Sequence, residues 1–102
     1  MENTFTPHDH VNFAARSLFG DGKISDVSIA FIDENGGGPI TNHTHAHNHL
    51  FIVTEGEARI DLNGEKIILE KNESFLVKGK IPHSVWNNQT KKTTMIGINI
   101  MP

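Results

Sequence analysis

Four histidines occupy alternate positions, His43, His45, His47 and His49, in a stretch that begins at Ile40 and runs into Leu50-Phe51-Ile52-Val53. Alternation is the period of a β-strand, which turns successive side chains to opposite faces. The apolar, β-branched flanks place the row inside β structure rather than at its margin. Imidazoles aimed at one point are how a chain builds a transition-metal site. A fifth histidine, His83, follows Ile81-Pro82 and can join the row only through the fold.

The rest of the chain carries the same signature. Val27, Ile29 and Phe31 alternate with Ser28, Ala30 and Ile32, and the run from Asp33 to Pro39, with three consecutive glycines, is a loop signal. Strand character returns at Ile40 and continues to Thr54. Ala58–Leu62 and Glu65–Leu69 flank Asn63-Gly64, a strong hairpin signal. Ser74–Val77, His83–Asn87 and Thr93–Ile100 complete the set, with turns at Glu55-Gly56-Glu57, at Lys71-Asn72 and from Lys78 to Pro82. Short strands at this spacing predict an all-β sandwich or barrel. Residues 1–15 read as an N-terminal arm on a single domain spanning 1–102. Asn12–Phe19 is compatible with a short helix or a first strand.

Composition narrows the chemistry. Without cysteine there is no disulfide, thiolate ligand or thiol nucleophile, and without tyrosine there is no phenolic acid or base. A formal charge of −3 offers no footprint for nucleic acid or an anionic membrane. No apolar stretch approaches a membrane span, and the first residues lack the pattern of a signal peptide. The expectation is a soluble, cytoplasmic protein. At 102 residues its core is small, and a homodimer is a common remedy.

Residues 37–56 resemble the first motif of the cupin family. Gly37, His43-Thr44-His45, His49 and Gly56 fall at its glycine, His-x-His, acidic and second-glycine positions, with histidine where the acid usually stands. The second motif resembles the stretch from Asn72 to Asn87. His83 and Asn87 match it, whereas Asn72, Lys78 and Lys80 replace its leading glycine, proline and second glycine. The resemblance implies a small single-domain cupin of the cupin 2 type, an all-β double-stranded β-helix barrel of jelly-roll character. It implies that His43, His45, His49 and His83 bind one divalent transition metal per chain (Zn, Fe, Ni, Mn or Cu). Four neutral imidazoles leave such an ion its full charge, which favours an anionic or bidentate oxygen donor.

His47 shares the parity of the row but falls where the chain turns between strands, so a supporting place at the mouth is expected of it. Phe51, Val53, Phe75 and Val77 are expected to line the pocket. Asn87, four residues beyond His83, faces either that pocket or the following turn. In the last strand either Met95, Gly97 and Asn99 or Ile96, Ile98 and Ile100 point inward. Leu50, Ile52, Ile68 and Trp86 are expected outward, as is Arg59. His8 and His10 are expected in a solvated arm. The acidic residues from Glu55 to Glu73 fall in turns or on the outer face, which leaves no dedicated carboxylate base. The functional expectation is a metal-dependent enzyme, dioxygenase-like or isomerase/lyase-like, on a small oxygenated metabolite. The alternative is a non-catalytic cupin that binds or senses a sugar or metabolite.

Overall fold

Every alternating segment becomes a strand in the computed structural model, which describes residues 4–16 and 22–102. The elements are β1 (Lys23–Ile32), β2 (Gly37–His43), β3 (Asn48–Glu55), β4 (Glu57–Leu62), β5 (Glu65–Glu70), β6 (Ser74–Val77), β7 (His83–Asn87) and β8 (Thr93–Met101). They form two four-stranded antiparallel sheets in the orders β1-β8-β3-β6 and β2-β7-β4-β5. The chain alternates between the sheets as a jelly roll does. Asn63 and Gly64 both take positive φ, 47° and 88°, as a two-residue hairpin between β4 and β5 requires.

The inner faces meet in a core of Phe51, Val53, Ala58, Ile60, Leu69, Val77, Val85 and Met95, all buried. Register decides the last strand. Met95 pairs with Val53 and Asn99 with His49, so Met95, Gly97 and Asn99 face inward. Gly97 faces the Phe51 ring, which a Cβ there would meet at an ordinary contact distance of 3.6 Å. Of the residues expected to line a pocket, Val53 and Val77 are wholly covered core and Phe75 packs partly buried beside them. Phe51 alone reaches an open hollow.

Asn87 faces the turn. Its amide donates to the carbonyls of Ile32 (2.9 Å) and Lys91 (2.7 Å), and its oxygen accepts from the Gln89 N–H (3.0 Å). The Thr93 hydroxyl lies 2.9 Å from the same oxygen. Every polar atom of Asn87 is thus engaged in closing the β7–β8 connection.

The two outer faces differ in chemistry. The β2-β7-β4-β5 sheet turns Arg59, Asp61, Lys66 and Glu70 outward beside Trp86 and Ile68, with an Arg59–Asp61 ion pair at 3.0 Å. The other sheet sets Val27, Ile29, Ile96, Ile98, Leu50, Ile52 and Leu76 on one face with no charge among them. Leu50 lies on this outward face, as its parity predicts, yet it is only 5 % accessible. The bare part lies over β1, where Ile24, Val27, Ile29 and Phe31 are 56–65 % exposed.

In the arm, Phe5 and Ala15 form an isolated antiparallel bridge, and Asn12–Arg16 is not helical. Residues 17–19 of the segment that admitted a helix lie outside the described residues. No helix among the described residues is long and apolar enough to cross a membrane.

Asn87→Ala is expected to lower stability by about 2 kcal/mol, since it removes the partners of three part-buried backbone groups and of the buried Thr93 hydroxyl at once. Urea denaturation checks this; a change below about 1 kcal/mol would show that water replaces the lost partners.

Candidate metal centre

The strand that enters the histidine row does not run through it. β2 ends at His43, β3 begins at Asn48, and Thr44–His47 bends between them. Two contacts hold this bend. The His45 N–H donates to the Gly79 carbonyl (2.9 Å), and the Gly79 N–H donates to Asn48 Oδ1 (2.9 Å). Gly79 is buried against the bend, and a Cβ there would strike the His45 and His47 carbonyls. Only glycine lets the β6–β7 loop come this close.

The bend and the β2–β7 ladder gather five rings. His43 pairs with His83 across the ladder. Ring centroids lie 4.9 Å apart for His43–His45, 5.1 Å for His43–His83, 4.8 Å for His45–His83 and 4.6 Å for His45–His49. His47 stacks on His45 at 3.9 Å and 6°. His43 is exposed, His45, His47 and His49 are half-buried, and His83 is buried. Two overlapping groups could hold an ion: His43 with His45 and His83, and His45 with His47 and His49, each with ligand atoms within 4.8 Å of one another. His8 and His10 remain exposed in the arm, where His10 Nδ1 meets the His8 carbonyl.

Hydrogen bonding fixes which nitrogens converge. The Nδ1 of His45 faces the His47 carbonyl at 2.8 Å, that of His83 the Ile81 carbonyl at 2.7 Å, and that of His49 the Asn99 Oδ1 at 2.8 Å. A carbonyl oxygen only accepts, so each Nδ1 carries the hydrogen and each neutral ring presents a bare Nε2 lone pair. These point at one another, with Nε2 separations of 2.9 Å for His45–His49 and 3.2 Å for His45–His83. Lone pairs so placed repel unless a cation stands among them. The donor set therefore fits a transition metal that favours imidazole.

A proton fills this place poorly. Burial, above all, pushes the His49 imidazole down to about 4; the Asn99 contact opposes this, and His45, His47 and His83 lower it further. His83 is lowered by burial against the opposing Ile81 carbonyl, with His45, His43 and His47 adding to the shift. His47 is lowered by burial and then by His45 and His43.

Beyond Phe51, which stacks on His49 at 5.0 Å and 19°, a hollow of about 490 Å³ opens between β1 and β2. Ile32, Phe51, Val85 and Met95 make its walls, and Asp33 and the Gly36–Gly38 backbone its rim. Asn99 and Gly79 support the cluster, and neither stood out as a site residue.

The profile of the cupin domain matches residues 31–99. The chain belongs to the cupin family. Similar solved cupin folds include a predicted oxalate decarboxylase from Thermotoga maritima, with TM-score 0.70 and 11 % identity over 78 % of this chain and 69 % of that one. The plu4264 protein from Photorhabdus luminescens gives 0.64 and 23 %, over 72 % and 60 %. The cupin domain of an XRE family transcriptional regulator from Enterobacter cloacae gives 0.66 and 18 %, over 76 % and 81 %. Several similar chains are longer, and this cupin spans less than two thirds of their length. No curated protein sequence matches.

The lowered histidines make a pH prediction for the metal-free cupin. Their unfolded values lie near 6.5 and the folded value of His49 near 4, so the native state binds fewer protons between these limits. Stability is then full above about pH 6.5 and is lost as pH falls toward 4. Melting temperatures of chelator-treated protein should fall across that window, and His49→Gln should flatten the slope. Parallel slopes for both proteins would count against His49 as the source.

Proposed function

We propose that this cupin is a metal-dependent enzyme acting on a small oxygenated metabolite. Its one divalent transition metal would be held by His45, His49 and His83 together with His43. The observation that carries this reading is the convergence of three Nε2 lone pairs, each fixed by an acceptor behind its ring. Bound there, the ion would act as a Lewis acid of full +2 charge that takes anionic, bidentate oxygen donors and polarises them or brings dioxygen beside them.

The residues supply the rest. Asn99 and the Ile81 and His47 carbonyls hold the three rings in the tautomer that leaves Nε2 open. Phe51 forms an apolar wall behind His49 and keeps water from that side. Ile32, Val85 and Met95 give the hollow room for an apolar substituent. Among the described residues, the rings of the cluster meet histidine, Phe51, Asn99 and backbone carbonyls, and no carboxylate, lysine or arginine. That composition favours oxygen chemistry over acid–base isomerisation, since a base would have to be histidine. It is also compatible with a module that senses a metabolite, a reading in keeping with the likeness to a regulator's cupin domain. Sustained substrate turnover separates enzyme from sensor.

We propose also that the cupin works as a homodimer through the uncharged face of the β1-β8-β3-β6 sheet. The bare part of this face lies over β1, where Ile24, Val27, Ile29 and Phe31 are exposed and a second copy would cover them. The strand residues of this face are uncharged, with the Lys92 ammonium 5.9 Å over the Phe31 ring, whereas the opposite sheet carries Arg59, Asp61, Lys66 and Glu70.

Protein purified without an immobilised-metal column should carry about one divalent ion per chain. His45→Ala should weaken binding by more than about 100-fold, beyond what loss of a supporting partner costs, and His10→Ala should not; equal losses would refute the assignment. Ile29→Lys, at an exposed position, should halve the sedimentation mass without unfolding. A wild-type monomer at micromolar concentration would refute the dimer.

A further inference from the structure

His47 stands apart from the other inner histidines. His45, His49 and His83 each have Nδ1 tied to an acceptor. The His47 ring makes no hydrogen bond among the described residues and touches only His45, at 3.9 Å, and His49, at 4.9 Å. Its backbone is nevertheless held, because its own carbonyl takes the His45 Nδ1–H and its neighbour Asn48 accepts from the Gly79 N–H. The ring can therefore turn about its side-chain bonds while the bend stays in place. It also completes the second candidate group, His45 with His47 and His49, whose ligand atoms lie within 4.8 Å of one another. His43, in the first group, is fixed at its backbone by the ladder with His83.

We infer that His47 is an exchangeable ligand. Resting on the metal reading above, the inference is that His47 closes a coordination position when the site holds no substrate. It swings off that position when an anionic oxygen or nitrogen donor enters. The chain thereby guards its open position with a group from its own bend. The bond from the incoming donor to the metal would replace the bond from His47, and no hydrogen bond has to break as well for the ring to rotate. A competing internal ligand lowers the apparent affinity for an incoming anion in proportion to the time it occupies the position.

The experiment uses full-length protein loaded with Co(II) or Cu(II), and azide as the incoming anion. In the resting state, His47→Ala should change the Co(II) visible spectrum and the Cu(II) nitrogen hyperfine pattern relative to wild type. It should tighten azide binding by about tenfold, the factor expected if the guard occupies the position nine-tenths of the time. With azide bound, wild type and variant should give the same spectrum, since His47 has left in one and is missing in the other. Identical resting spectra with equal azide affinities would overturn the inference and leave His47 a stacked bystander. Azide complexes that differ between the two proteins would overturn it by making His47 a permanent ligand. Wild-type protein that takes up neither ion would remove the metal reading and this inference with it, an outcome distinct from the other two.

Discussion

The site depends on three oxygen atoms that can only accept. The His47 and Ile81 carbonyls and Asn99 Oδ1 each stand behind an imidazole and force its hydrogen outward, away from the cluster. Everything the barrel does around them serves that placement. Were any of these oxygens a donor, the ring in front of it would flip its tautomer and point an N–H at its neighbours. The result would be a hydrogen-bonded histidine pair in place of a gap that attracts a cation. The acceptors come from a bend, a loop and the last strand, so the site exists only when both sheets are assembled.

This explains why the bend at residues 44–47 matters more than the row of histidines that contains it. A straight strand would put four rings on one face at a separation of two residues each, too far apart for four nitrogens to meet. Breaking the strand lets His45 tip toward His49 and His83, and it places the His47 carbonyl behind His45. Gly79 is the reason the break is stable, because the β6–β7 loop packs directly on the bend and caps its backbone.

Much of this was legible in order of residues alone, and the reasons for the remainder are physical. The strands and the Asn63-Gly64 hairpin could be read because alternation and turn chemistry are local. The spacing marked His43, His45, His49 and His83 as one set, whereas the structure brings together two overlapping groups, His43 with His45 and His83, and His45 with His47 and His49. The direction of β8 could not be read, since Ile96, Ile98 and Ile100 look like a core stripe, and the register with β3 puts them on the outer face, where Ile100 is nonetheless covered. Asn87 had two readings because its partners, Ile32 and Lys91, come from different parts of the chain. The burial of Leu50 could not be read, because parity reports a face and says nothing of what covers it. The difference between the two outer faces needed the strand order, which periodicity does not contain.

Phe51 is a party wall. One side of its ring stacks on His49, and the other bounds the hollow between β1 and β2. A change that enlarges or narrows the hollow at this residue also alters the support of a candidate ligand. A substitution at Phe51 that reshapes the hollow would therefore also disturb His49, whereas one at Phe31, Ile32, Val85 or Met95, which line the same hollow, leaves the Phe51–His49 stack in place.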